Sequence, residues 1–428
     1  MAGINAYING SWRPIGRATV KTNALFEFTN IDNKCVEGEA LFNVIDTYLE
    51  VGYAVQLTSS GSYSIDWGDG TIETGTATAY TTQFTANSLT AQVSHTYSPT
   101  NASGKGIWIQ SLGAYAYTVR IYNASSPIKY LKVARLTTTY STQNSGIVWA
   151  DIKINSLVDI SQMFSNGVST NPLRSPFLYK VNLITDSIVL RTDYFAYQCT
   201  RFQDFNFPYL PNVLSRTYSL YQTGLSHADI GTDYQGGSGC SMTYYLNGTT
   251  TLRRVDFTSA NWGSISSIYG VLEQCRALTE VYLPAGIGND KLTDCTNAFK
   301  TTPIKTLTNI EYLGSRTSNC NMDGTFDSME QFAGVLPIYA KLTKFTAKGT
   351  SSAPNKITSI RFLNTTSPWS GTSPQCDLSY SGLSGSAVNQ AFTDLVASGN
   401  FAGKVVKVAG LTGYDASIIT NAGATVAV

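Results

Sequence analysis

The stretch Leu252-Arg-Arg-Val-Asp-Phe257 is followed 26 residues later by Leu278-Thr-Glu-Val-Tyr-Leu283, and both have the pattern apolar-x-x-apolar-x-apolar. The pattern occurs eight times between Ile128 and Leu307, with starts 21, 29, 24, 23, 27, 26 and 26 residues apart. In a short strand the second and third apolar places point to one face. One repeat cannot bury that face alone, so neighbouring repeats must stack. The spacing therefore predicts a solenoid with one short parallel strand per repeat.

The eight matches share this spacing, although Asn309 occupies the last apolar place of the final one. They are Ile128/Leu131/Val133, Trp149/Ile152/Ile154, Leu178/Val181/Leu183, Phe202/Phe205/Phe207, Leu225/Ala228/Ile230, Leu252/Val255/Phe257, Leu278/Val281/Leu283 and Ile304/Leu307. A period of 20 to 29 residues is typical of leucine-rich repeats. A solenoid has a long surface and usually no cleft, which favours binding or architecture over catalysis.

The repeat phrase also carries a cysteine at a fixed place. Residues 272–287 (Leu-Glu-Gln-Cys-Arg-Ala-Leu-Thr-Glu-Val-Tyr-Leu-Pro-Ala-Gly-Ile) resemble the BspA-like leucine-rich repeats, and 195–202 (Phe-Ala-Tyr-Gln-Cys-Thr-Arg-Phe) has the same phrase. Residues 377–383, a helix-like segment at 386–398 and the end at 423–428 are similar to the terminal unit and cap of that family. The period is irregular between Leu307 and Leu378.

A second motif lies before the repeats. Trp67-Gly-Asp-Gly-Thr71 and the later His95-Thr-Tyr97 resemble the PKD family of immunoglobulin-like β-sandwiches, in which the Gly-Asp-Gly forms a tight turn beside a later strand. Gly68 and Gly70 permit turn backbone angles, and Asp69 can accept hydrogen bonds from the turn backbone. We interpret Trp67, Gly68, Asp69, Gly70, His95 and Tyr97 as a structural turn. A metal or acid/base site at Asp66, Asp69 and His95 is the alternative.

The N-terminal residues predict a short β segment. Asn9-Gly10 is a strong hairpin signal between Ala6-Tyr7-Ile8 and the apolar residues that follow, at Ala18-Thr19-Val20. Residues 9–16 (Asn-Gly-Ser-Trp-Arg-Pro-Ile-Gly) resemble the openings of many tailed-phage structural proteins. We expect this segment to dock to a partner through Tyr7, Trp12 and Arg13, since aromatic residues and arginine are favoured interface anchors. The alternative is that its strands complete the sandwich.

Composition narrows the function classes. Charged residues make up 13% of the chain and the net charge is +1, so bulk electrostatics does not indicate a nucleic-acid partner. The N-terminus lacks the apolar core of a signal peptide. No apolar run approaches the ~18 residues of a transmembrane helix. The seven cysteines have no metal-ligand spacing, and we expect reduced, buried thiols, with Cys199 and Cys275 at equivalent repeat positions.

Little in the sequence indicates catalysis. There are two histidines, and no recognisable nucleophile elbow or phosphate loop. The residues between the second and third apolar places define a predicted outward face of the repeat strands. They are Lys132, Lys153, Asn182, Asn206, Asp229, Asp256, Tyr282 and, in the last repeat, Thr308.

The paired carboxylates on that face leave two alternatives open. Asp229 and Asp256 would lie on neighbouring strands ~4.8 Å apart, which is compatible with glycoside hydrolysis or with a weak cation site. An open sheet provides no enclosed pocket to raise one carboxyl pKa. Arg254 and His227 on the same face would also favour the ionised state of both acids, so we favour an ordinary solvated face.

Taken together, the sequence predicts a mostly β chain in three parts. An N-terminal virion-docking β segment (1–50) precedes a PKD-like β-sandwich (51–125) and a BspA-like leucine-rich-repeat solenoid with a C-terminal cap (126–428). The resemblances imply a non-enzymatic structural protein of a bacteriophage particle: a decoration, fibre or tail-associated component. It would be made in the host cytoplasm, exposed on the virion surface, and present in many copies or as a homo-oligomer.

The expected partners are other virion proteins, bound through the N-terminal segment, and possible ligands on the host surface are a glycan or a protein. We expect no cofactor, metal, nucleic acid or membrane insertion. The alternatives are a bacterial cell-surface adhesin and a glycan depolymerase that uses Asp229 and Asp256.

Overall fold

The computed structural model describes thirteen segments of the chain, and they are mostly β. These are residues 5–8, 11–14, 35–46, 50–81, 92–98, 100–133, 143–165, 173–185, 191–205, 215–230, 240–260, 262–285 and 291–428. Two compact units divide the chain. The first contains 1–157, 168–186 and 204–206, and the second contains 158–167, 187–203 and 207–428.

The first unit is built from fifteen described strands. They are β1 Asn5–Ile8, β2 Ser11–Pro14, β3 Glu39–Ile45, β4 Glu50–Leu57, β5 Gly61–Asp66, β6 Ile72–Ala79, β7 Val93–Thr96, β8 Ile107–Ile109, β9 Ala114–Tyr122, β10 Ile128–Val133, β11 Gln143–Asn144, β12 Ile147–Lys153, β13 Leu173–Arg174, β14 Lys180–Ile184 and β15 Asp204–Phe205. The main sheet has the order β10-β4-β6-β5-β9-β3-β12-β14-β15, with β7 paired to β4 and β8 to β9.

The first two strands form the predicted hairpin at Asn9-Gly10. Ile8 pairs with Ser11 and Tyr7 with Trp12 in antiparallel register. The second strand is therefore Ser11–Pro14, directly after the turn, whereas residues 18–20, the other predicted strand, lie outside the described residues.

β3 lies at the centre of the first unit's sheet. It pairs antiparallel with β9 on one side and with β12 on the other, and all seven of its residues are buried. The sequence of a strand that is covered on both faces contains a continuous apolar run, as in Ala40-Leu41-Phe42. The predicted docking segment, 1–50, thus contains a strand that belongs to the core of the sheet.

The first repeat strand is not part of a parallel stack. β10, which contains the first match, pairs antiparallel with β4. Ile128 and the run from Tyr130 to Val133 are buried, so this strand has no outward face. The predicted parallel stacking begins with the second match, because β12 pairs parallel with β14 and β14 with β15.

The second unit is a β-solenoid of stacked parallel strands. Its elements are β16 His227–Asp229, β17 Cys240–Ser241, β18 Arg254–Asp256, β19 Ile265–Ser267, β20 Glu280–Tyr282, β21 Thr306–Thr308, a 3-10 turn Ile310–Tyr312, β22 Cys320–Met322, β23 Val335–Ile338, β24 Leu342–Thr346, β25 Ser359–Phe362, β26 Cys376–Asp377, α1 Gly385–Ala397, β27 Val405–Lys407, α2 Ser417–Thr420 and β28 Thr425–Ala427. The parallel sheets are β16-β18-β20-β21, β17-β19, β22-β24-β26-β27-β28 and β23-β25.

The predicted apolar places form the core between the coils. Val255 pairs in register with Val281, and Val281 with Leu307. The apolar residues of the three matches that start at Leu225, Leu252 and Leu278 are all at most 2% exposed. Burial of these side chains between coils supplies the main stabilisation, since one coil alone would leave them in water.

A second ladder runs through each coil and was not predicted. Single bridges join Asp159, Arg191, Ser215, Ser241, Ser267, Asp294 and Asn321 in parallel from one coil to the next. Several of these side chains accept a hydrogen bond from the backbone N–H two residues later, as Asp159, Ser241, Ser267, Asp294 and Asn321 do. Such turns bend the chain out of the strand, so this ladder marks a corner of the coil.

The cysteines occupy repeated core places. All seven lie within the described residues; six are buried, and Cys35 is partly buried. Cys275 donates from its Sγ to the carbonyl of Leu246 in the preceding coil, at 3.2 Å. One coil earlier Thr249 Oγ1 donates to the Leu220 carbonyl, also at 3.2 Å. The position therefore takes a small buried donor, and cysteine and threonine both satisfy it.

The β23-β25 ladder ends beside the predicted helix, whereas β27 and β28 continue the other parallel sheet after it. Helix α1 packs against β25, and Asp394 in α1 accepts from Arg361 Nε at 2.7 Å and from the Phe362 amide at 3.0 Å. Ser384 caps its N-terminus by accepting from the Ala387 amide. A helix beside β25 cannot extend the parallel pairing, so it closes this ladder. Among the described residues, no helix is both long and apolar enough to cross a bilayer.

Candidate functional site

The Trp-Gly-Asp-Gly-Thr motif forms a hydrogen-bonded turn in the first unit. Asp69 accepts from the Thr71 amide at 2.9 Å and lies 2.8 Å from His95 Nε2. Tyr97 donates from its hydroxyl to the Trp67 carbonyl at 2.9 Å, and the rings of Trp67 and His95 are stacked with centroids 4.9 Å apart. The two halves of the motif thus contact each other as a structural turn requires.

The glycine and the carboxylate of this turn have clear physical roles. Gly68 has a φ of 78°, and a Cβ there would lie 2.6 Å from the Thr118 carbonyl oxygen, so a side chain would be excluded. Partial burial acts to raise the pKa of Asp69, but hydrogen bonds from Thr71 and His95 outweigh it and lower that pKa. No group of three or more potential metal ligands occurs in the described part of the chain.

The predicted docking residues lie on the N-terminal hairpin. Tyr7 and Trp12 are direct cross-strand partners, and Arg13 is opposite Ala6. Tyr7 and Trp12 therefore occupy one register position of the two-stranded ribbon. Within the described residues β1 and β2 pair only with each other, so their outer edges have no strand partner there.

The predicted outward face is divided between the units. In the first unit Lys132 is 3% exposed and lies in the antiparallel strand β10, so its assignment to an outward repeat face is wrong. Lys153 and Asn182 are partly exposed on β12 and β14, and Asn182 is in register with Asp151. Asn206 lies outside the described residues.

In the second unit the predicted residues do lie in one row. Asp229, Asp256 and Tyr282 are in direct register along β16, β18 and β20, and Thr308 follows on β21. Arg254, which faces the same side, donates to Asp256 at 2.8 Å and lies over the Tyr282 ring at 4.8 Å. Tyr282 donates to Glu280 at 3.2 Å. Around Asp256 and Tyr282 the row is thus a network of paired polar groups.

Asp256 in this network does not resemble a general acid. Partial burial acts to raise the pKa of Asp256, but hydrogen bonds from Thr258 and Arg254 outweigh it and lower that pKa. A glycosidase general acid requires the opposite shift, toward a protonated carboxyl near neutral pH. The geometry at Asp256 therefore favours a permanently ionised, structurally engaged carboxylate.

A surface that the sequence analysis missed lies at another part of the coils. Six tyrosines, here called the tyrosine strip, cluster on successive coils: Tyr194, Tyr197, Tyr218, Tyr221, Tyr244 and Tyr269. Tyr218 stacks between Tyr194 and Tyr244, with centroid distances of 5.2 and 4.9 Å. Beside this row Tyr197 and Tyr221 stack at 4.9 Å, and Gln198 donates to Gln222 at 2.8 Å.

The backbone of each coil positions the strip. Tyr194, Tyr218 and Tyr244 all have left-handed backbone, with φ of 55°, 55° and 53°. Their amides donate to the next coil, as Tyr194 does to Thr217 and Tyr218 to Thr243. Left-handed backbone at a tyrosine is uncommon and persists because the coil hydrogen bonds fix it. The sequence signal was Tyr-x-x-Tyr-Gln, at 194–198 and again at 218–222.

Comparisons with protein-family models, with curated proteins and with solved structures found no match for this chain.

Proposed function

We propose that this chain is a non-enzymatic structural component of a bacteriophage particle that displays its coils for adhesion to a host surface. The observation that carries the proposal is the solenoid itself: stacked parallel coils that present a long lateral surface. On that surface Asp256, one of the two candidate carboxylates, forms an ion pair with Arg254. Repeat architectures of this kind usually bind through an extended surface.

The finer assignment of the modules belongs to the same proposal. We infer a PKD-like sandwich for residues 51–125, supported by the contact of Asp69 with His95 and of Tyr97 with Trp67. We infer BspA-like repeats for the coils, supported by Cys199 and Cys275 at equivalent core places. The resemblance of residues 9–16 to phage protein openings supports the virion location, with the hairpin as the docking element for other virion proteins.

The experiment is to locate the chain among the products of cells that express its gene. Particles are separated from cell envelopes on a density gradient, and both fractions are digested and analysed by mass spectrometry. The proposal expects peptides of this chain in the particle fraction, in a fixed ratio to other particle proteins. Peptides confined to the envelope fraction would support the cell-surface adhesin instead and contradict the virion assignment.

A matched variant addresses the depolymerase alternative. If Asp229 and Asp256 acted together, Asp256→Asn would abolish release of reducing sugar from host-surface polysaccharide, whereas Thr308→Ala on the same row would not. The proposal expects no release of reducing sugar by the parent chain or by either variant.

A further inference from the structure

The tyrosine strip is half-buried and regular. Five of its six rings are partly exposed, and Tyr197 is 9% exposed. Because the rings stack face to face along the coils, those faces are covered by neighbouring rings. In such a stack the ring edges, which bear the phenolic hydroxyls, are the parts left accessible to solvent. The strip therefore carries two tyrosine hydroxyls on each of its first two coils and one on each of the next two.

The strip is also electrically neutral. Burial raises the pKa values of Tyr194, Tyr218 and Tyr221, so their hydroxyls stay protonated and can donate as well as accept. The amides of Gln198 and Gln222 lie alongside and add no charge. Two carboxylates act electrostatically on these tyrosines, and both are paired with a cation: Asp193 with Arg191 at 3.0 Å and Glu273 with Lys300 at 3.5 Å.

The surroundings of the strip do not suit a protein interface. Between 191 and 285, none of the described large hydrophobic residues is exposed. Tyrosine anchors at protein interfaces insert into well-packed pockets of the partner, whereas the stacked ring faces here are covered by neighbouring rings. Nucleic acids require clustered positive charge. A neutral polymer rich in hydroxyl groups matches what the strip does present.

We propose that the tyrosine strip binds a neutral polysaccharide that lies along the stacked coils. The tyrosine rows repeat every 4.9 to 5.2 Å, so a ligand with regularly repeated hydroxyls can bond to several coils at once. Each hydrogen bond is weak in water, but linked contacts add through effective concentration. This inference rests on the proposed adhesion function and assigns its ligand class and its residues.

The test is native gel electrophoresis of the full chain through gels that contain one polysaccharide each. The neutral probes are dextran, mannan, galactan and hydroxyethyl cellulose, and the charged probes are heparin and colominic acid. At least one neutral probe should retard the chain. The triple variant Tyr194→Phe, Tyr218→Phe, Tyr221→Phe keeps the stacked rings and removes three hydroxyls, and should weaken retardation at least about tenfold in apparent Kd.

Tyr53→Phe is the matched control, because it removes a fully buried hydroxyl and should leave retardation unchanged. Thermal melting of all variants verifies that each is folded. Retardation by charged probes alone, by no neutral probe, or to the same extent in the triple variant would overturn the inference. A chain found on particles that binds no neutral probe loses only this inference, and a chain that binds but occurs only in envelopes loses only the virion assignment.

Discussion

Val281 shows how much a single residue of the coil core contributes. It is fully buried, with Val255 and Leu307 as its register partners on either side. Both partners are apolar, so a polar group introduced at this place meets neither a donor nor water.

Val281→Asp should therefore lower the free energy of unfolding by about 3 to 5 kcal/mol. Chemical denaturation measures the change. Thr306→Asp introduces the same charge at an exposed position of the same parallel sheet and should change stability by less than about 0.5 kcal/mol. Equal stabilities for the two variants would show that the strand register is wrong.

Asp69 makes the turn of the first unit pH-dependent. Its folded-state pKa is lowered, so the carboxylate contributes stability above the unfolded value of about 3.9 and loses it as the pH falls through the lower folded value. Asp69→Asn should destabilise residues 61–79 at pH 7, and the difference from the parent should shrink as the pH approaches 3. Hydrogen exchange of peptides from 61–79 measures this. A difference that is constant from pH 7 to pH 3 would exclude the carboxylate as its cause.

At the scale of elements, the sequence could predict which residues each coil buries, but not which partner each strand takes. The spacing of Ile128, Leu131 and Val133 is indistinguishable from that of Leu278, Val281 and Leu283, yet β10 pairs antiparallel with β4. An apolar pattern specifies a buried strand, and the neighbour is decided by tertiary packing.

The second ladder and the tyrosine strip were not predicted from the sequence, for a related reason. Asp159, Ser241 and Asp294 differ in side chain but make the same hydrogen bond to the amide two residues later. A pattern based on the spacing of apolar residues cannot detect a position that is defined by a side-chain hydrogen-bond acceptor. The tyrosines of the strip were visible at 194–198 and 218–222, but their stacking depends on left-handed backbone that coil-to-coil hydrogen bonds impose.

The contact between α1 and β25 allows a test of how much the helix contributes to stability. Asp394 accepts from both Arg361 and the Phe362 amide, and it is 8% exposed. Asp394→Ala leaves the amide without an acceptor and should cost about 2 to 3 kcal/mol in unfolding free energy. Asp394→Asn retains one acceptor and should cost roughly half as much. A loss below about 0.5 kcal/mol for the alanine variant would contradict a closing role for this helix.

At the scale of the whole molecule, the N-terminal segment separates into two parts with different expected roles. The hairpin Asn5–Ile8 and Ser11–Pro14 pairs only within itself among the described residues, whereas Glu39–Ile45 is a buried central strand of the sheet. The docking role expected for residues 1–50 is therefore narrowed to the hairpin.

Deletion of 1–34 should leave cooperative unfolding intact and prevent incorporation into particles. Deletion of 1–50 also removes β3 and should abolish the cooperative unfolding of the first unit, because β9 and β12 lose the strand between them. Circular dichroism, thermal melting and co-assembly compare the two truncations. A 1–34 deletion that still assembles would remove the docking role of the hairpin.

Because the coils are nearly equally spaced along the chain, the length of the solenoid can be changed by adding or removing a coil. From Leu252 to Leu278 to Ile304 the chain returns to the same place every 26 residues, and each return adds one strand spacing of ~4.8 Å to the stack. Duplication of one such segment would lengthen the displayed surface by that increment without a new fold, since each coil contacts only its neighbours. The length of the displayed surface can thus change in small fixed steps, while the elements outside the duplicated segment stay the same.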